Sequence, residues 1–194
     1  GSITSSDGAT ITTADNTDTL TLTSTDADAN IGPNLRLYRN SGSPADSDSL
    51  GMIDFEGRND NSQDVVYGQI ETLTSDVSDG AEDGYMNLSV MLAGTLRSRI
   101  EMDSGETVIN EASQDLDFRV ESNGNNNMLF VNGGTDKVGV GLNDPTGTFH
   151  VKSTDAGTTM FIEDTHAGNG DGPELYMYRN SASPADVDEL GNIH

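Results

Sequence analysis

Residues 32–53, GPNLRLYRNSGSPADSDSLGMI, return 140 positions later as residues 172–193, GPELYMYRNSASPADVDELGNI, with fifteen identities and no gap. Tyr38, Pro44, Leu50 and Gly51 fall on Tyr178, Pro184, Leu190 and Gly191. A long fixed period is the mark of an array of supersecondary units, and arrays serve length more often than chemistry. The match extends weakly upstream to Thr19 and Thr159, with Leu20 and Leu22 facing Met160 and Ile162. The unit therefore begins near residue 17, and the chain is expected to hold one full repeat and the start of the next.

Thirty-three acidic side chains against nine basic ones give a net charge of -24, which repels phosphate polymers and anionic membranes. No nucleic-acid partner and no membrane insertion are expected. Leu, Ile, Val and Phe make up 39 of 194 residues, at the border where high charge favours disorder, so pattern has to decide. The apolar residues alternate with polar ones: Leu35 and Leu37, Ile53 and Phe55, Met86, Leu88, Val90 and Leu92, Leu116, Phe118 and Val120, Val138 and Val140. Period-two alternation over many short runs predicts half-buried strands and an all-β fold. There is too little apolar surface for a large private core, so partner chains are expected to supply the rest.

With no cysteine, neither disulfides nor thiolate metal sites are available. No run is long and apolar enough to span a membrane, and the N-terminus lacks signal-peptide character. Residues 1–2, Gly1 and Ser2, resemble a cloning scar. His194 stands where the first copy has Asp54, as native divergence or as the first residue of a tag.

Residues 3–31 are sparse alternating Ile and Leu among Thr, Ser and Asp, the texture of a thin β stalk. Residues 32–103 are richer: NLRLYRN, a polar loop, then GMIDFEG, VVYGQIETLT, YMNLSVML and LRSRIEM, joined by short turns. They read as a globular, antiparallel, sandwich-like β module. Residues 104–156 break into short pieces, ETVIN, LDFRVES, NMLFVN, KVGVG and TFHVKS, which read as a second stalk. Residues 157–194 begin the second repeat.

In DKVGVGLNDPTGTFHV, residues 136–151, Val138 and Val140 share one face, while Gly139 and Gly141 leave the other bare for close approach of another backbone. Asn143, Asp144 and Pro145 then force a turn. This string resembles the VGIGTxxPxxxLxV motif of tail fibres of tailed bacteriophages, of the marine and cyanobacterial type, with Leu142 in place of the usual Thr and Phe149 in place of the usual Leu. The order of an LYRN strand (37–40), an SPAD loop (43–46), an LGxIxFxG strand (50–57), an acidic DG turn (79–84) and a GTLxxRxxI strand (94–100) is similar to those fibres too. The resemblance implies an elongated homotrimeric virion appendage in which such modules alternate with slender intertwined stalk. It implies a structural spacer, located extracellularly on the virion. Its partners would be other fibre or tip proteins and, through regions outside this segment, a host-surface glycan or protein. A microbial surface adhesin or extracellular filament built from similar repeats is the alternative; a polysaccharide-binding or depolymerising tailspike is the second.

Asp76, Asp79, Glu82 and Asp83 lie within eight residues and offer enough oxygens for calcium if the loop wraps around an ion. They lack the spacing and flanking helices of helix–loop–helix sites, and aspartate with glycine builds the same turn without metal. No cofactor is expected beyond this calcium candidate. His150, His166 and His194 are scattered, there is no tryptophan to line a sugar groove, and so many acids produce carboxylate pairs freely. A non-enzyme is expected. Arg39 and Arg179 occupy equivalent positions, predicting a recurring ion pair or loop clamp whose acid the sequence does not name.

Overall fold

The computed structural model describes residues 4–154, 156–165, 167–170, 172–183, 185, 187, 189 and 191. Among them every regular element is a β-strand, which places the chain in the all-β class. The chain divides into two compact units, Gly1–Ala112 and Ser113–His194.

In the first unit, β1 (Ser49–Arg58), β2 (Asp64–Asp76), β3 (Asp83–Leu92), β4 (Thr95–Met102) and β5 (Thr107–Ile109) form one antiparallel meander in chain order. Local chemistry writes its turns. Asn59 Oδ1 accepts the N–H groups of Asn61 and Gln63 between β1 and β2, at 3.0 and 2.9 Å. Asp103 Oδ1 accepts those of Gly105 and Glu106 between β4 and β5, at 2.7 and 2.8 Å. Ala93 and Gly94, with φ of 47° and 80°, make the two-residue turn whose twist suits the hairpin β3–β4. β5 closes the edge of this sheet, although the change in texture after Gly105 groups its residues with the shorter pieces that follow.

Cross-strand pairing lines up Ile53, Ile70, Leu88, Ile100 and Ile109 across all five strands on one face. The next row, on the opposite face, is Met52, Glu71, Asn87, Glu101 and Val108. A sandwich needs two such layers. The described residues of this unit supply one sheet, so the sandwich suggested by the runs and turns is not formed among them. NLRLYRN also alternates like a strand, yet residues 34–40 join no ladder.

In the second unit, β6 (Phe118–Val120), β7 (Leu129–Asn132), β8 (Lys137–Val140) and β9 (Phe149–Val151) form a four-stranded sheet in chain order. β8 and β9 are parallel. Parallel neighbours ordinarily need a crossover of a dozen or more residues, whereas here residues 141–148 suffice. The short path is held by backbone bonds at both ends, from Val138 N–H to Thr148 O and from Lys152 N–H to Val140 O, each 2.8 Å.

Among the described residues only Ser89, Phe130, Gly139 and Pro145 are buried. The chain exposes 15887 Å², whereas two separate compact units of these lengths would together expose roughly 11,000 Å². The surplus is largely the consequence of single-layer sheets and of described segments that join no sheet.

Candidate functional site

The strongest side-chain constellation lies where the repeat begins. Arg39 Nη2 is 2.8 Å from Asp48 Oδ1, and Arg39 Nη1 donates to Ser49 O at 3.1 Å. The other Asp48 oxygen accepts Ala45 N–H at 3.1 Å, and Asp48 N–H donates back to Ala45 O at 3.2 Å. The turn passes through Ser47 at φ 65°, the left-handed region that costs most non-glycine residues energy. The closed loop docks on the end of β2. Ser47 N–H reaches Thr74 O at 2.7 Å, Thr74 Oγ1 donates to Ala45 O at 2.9 Å, and Val77 N–H reaches Asp46 Oδ1 at 3.1 Å. Leu37 lies over bare Gly51, where a Cβ would sit 3.1 Å from Leu37 Cβ.

The described residues of the second copy repeat part of this geometry. Arg179 Nη1 donates to Glu189 O at 3.2 Å, as Arg39 does to Ser49. Ser183 N–H is held by Ser181 Oγ at 3.2 Å, as Ser43 is by Ser41 at 3.1 Å. Val187 takes φ 65°, the value of Ser47, although a β-branched side chain resists it. Met177 lies over Gly191 as Leu37 lies over Gly51. Pro184, Asp186, Asp188 and Leu190 lie outside the described residues. The recurrence is one of geometry: a clamped loop in which Arg39, Asp46 and Asp48 serve backbone and one another.

The calcium candidates sit around the β2–β3 turn. Asp76 and Asp83 face each other across the last pair of the ladder, while Asp79 and Glu82 lie in the turn. Asp76 Oδ1 accepts Ser78 N–H at 2.7 Å, and Glu82 Oε2 accepts Gly80 N–H at 3.1 Å. Hydrogen bonding from the Ser78 side chain, then from its backbone, holds the Asp76 carboxyl below the usual range. Among the described residues no group of three or more His, Cys, Asp or Glu side chains is arranged to hold a metal ion. His150 Nδ1 lies 3.3 Å from Thr146 N–H, and His166 and His194 lie outside the described residues.

On the polar face of the first sheet, burial and a hydrogen bond to Glu101, with the charges of Glu101, Glu71 and Glu111 nearby, push the Tyr85 hydroxyl up to about 12. That hydroxyl stays neutral near neutrality. The sequence gives no cue to it, because the three carboxylates come from β2, from β4 and from beyond β5. On the opposite face, Arg97 pairs with Val90, and its buried Nε has no hydrogen-bond partner among the described residues.

The glycines of the VGVG string admit close backbone, as their spacing predicts, and the backbone is the chain's own. A Cβ on Gly139 would meet Leu142 O at 2.5 Å, and one on Gly141, at φ 83°, would clash with Lys152 O. The crossover thus covers the glycine side of β8, where Phe130 and Pro145 are also buried.

The described residues therefore offer shaped loops and partly exposed apolar sheet. No known protein family matches the sequence, and no curated protein matches it at a significant level.

Proposed function

We propose that the chain is a structural segment of an elongated homotrimeric tail fibre of a tailed bacteriophage, a spacer that presents a receptor-binding tip to the host. The observation that carries this reading is incompleteness. A chain that buries four described residues and exposes 15887 Å² has far more surface than a self-sufficient monomer of its size keeps in water. Copies of itself are the economical source of cover, because each brings the same apolar rows. The clamped loop recurring 140 residues apart supports a repeated module. The side chains single out turns and clamps, which suits a spacer.

Antibody raised against the chain and imaged on particles by immunogold electron microscopy tests the assignment. Gold along appendages of phage particles is expected. Gold on uninfected cell surfaces, with none on particles, would overturn it in favour of a microbial surface filament. Release of oligosaccharide from a host surface polymer by the purified chain would favour a depolymerising tailspike instead.

A further inference from the structure

The register of the second sheet places eight apolar side chains on one face. Phe118, Val131, Val138 and Phe149 form one row across β6, β7, β8 and β9. Val120 with Leu129, and Val140 with Val151, continue on the same side by the two-residue period of a strand. No charged residue interrupts these positions. The alternate row, Arg119, Phe130, Gly139 and His150, points the other way. That side holds the buried Phe130 and Gly139 and is crossed by residues 141–148 of the same chain. On the eight-residue face Val131 is 36 % and Phe149 64 % exposed, Val120 is exposed too, and the other five are half-buried. Its Val140 and Val151 corner is bordered by later residues, Thr158 and Thr159, along an open groove of about 250 Å³.

We infer that this face is the contact between copies of the chain, so that Val131, Val138 and their row meet the same row of a second and a third copy about a common axis. The inference rests on the fibre reading and specifies which surface performs it. The occupant follows from charge and area. A chain of net charge -24 associates with itself most readily through a surface free of carboxylates, and this face is one. The surplus of roughly 5,000 Å² over compact units, spread over both sheets and the segments outside them, is surface that association of copies can bury. The close backbone approach that the glycines admit is made from within the chain. The chain's own crossover occupies the glycine side, and the valine side is left for the partner.

The absence of native cysteine allows a direct test. Val131→Cys on the apolar face and Arg119→Cys on the opposite face are each treated with a short bismaleimide, after the mass of the unreacted protein is measured. A mass of several chains, a strong covalent dimer band for Val131→Cys with the odd third chain left as monomer, and monomer alone for Arg119→Cys are expected. A multichain mass with no cross-link at Val131, or with equal cross-linking at Arg119, overturns this face as the contact and leaves the fibre reading standing. A single-chain mass for the unreacted, unsubstituted protein overturns both.

Discussion

Arg39 Nη2 lies 2.8 Å from Asp48 Oδ1, and the Arg39 Nη1 bond to Ser49 O has its counterpart between Arg179 and Glu189 in the second copy. The pair is partly exposed, so its Coulomb energy is screened and its role is to fix a loop more than to hold the fold. Asp48 does more than Arg39, since its second oxygen also closes the turn on Ala45.

Arg39→Ala is accordingly expected to cost about 0.5–1 kcal/mol, and Asp48→Ala about 1–2 kcal/mol because the Ala45 N–H then loses its acceptor. Thermal unfolding of the two variants gives the ranking. Faster hydrogen exchange at Ser47 and Thr74 in both would place the effect in the docked loop; equal costs with no change in exchange would contradict it.

The glycines of the second sheet give a sharper contrast. Gly139→Ala forces a methyl against Leu142 O and is expected to cost about 1–3 kcal/mol. Gly141→Ala should cost more, since it adds a left-handed φ of 83° to a clash with Lys152 O. Gly124→Ala, with nothing within 4 Å, serves as control. Melting temperatures ordered Gly124→Ala, Gly139→Ala, Gly141→Ala from highest to lowest are expected.

These two sites also show what sequence patterning conveys. The alternation in GMIDFEG, VVYGQIETLT, YMNLSVML and LRSRIEM locates β1 to β4, because each has a strand neighbour within the chain to satisfy its backbone. NLRLYRN alternates equally well and forms no ladder strand, because period two reports two faces and carries no information about which edge lies alongside. The VGVG string announces a close approach, but its spacing holds nothing about the eight-residue crossover that makes it. The equivalence of Arg39 and Arg179 predicts a clamp. Naming Asp48 needs the Ser47 turn, whose left-handed φ a serine does not advertise.

Tyr85 provides a pH signature. Its hydroxyl is raised from 10.0 to about 12 by burial and by Glu101, so the folded protein binds this proton more tightly than the unfolded chain does. The associated stability is complete below about pH 10 and is lost as pH rises towards 12. In an ultraviolet titration of tyrosinate, one late-ionising tyrosine is expected and should disappear in Tyr85→Phe. An unchanged late step in that variant would reassign it.

The β2–β3 turn predicts indifference to calcium. Asp76 and Glu82 already accept turn N–H groups, at 2.7 and 3.1 Å, which leaves Asp79 and Asp83 as the freer carboxylates of the set. Chelator and added calcium should both leave the melting temperature unchanged. An upward shift on adding calcium that is lost in Asp79→Ala would instead establish the ion site.

The central claim is that one chain is incomplete and is finished by copies of itself. The molar mass in solution, by light scattering across a size-exclusion peak or by sedimentation equilibrium, tests it most directly. A stable particle of three times the 20.5 kDa chain mass that does not dissociate on dilution is expected. A stable particle of 20.5 kDa would contradict it.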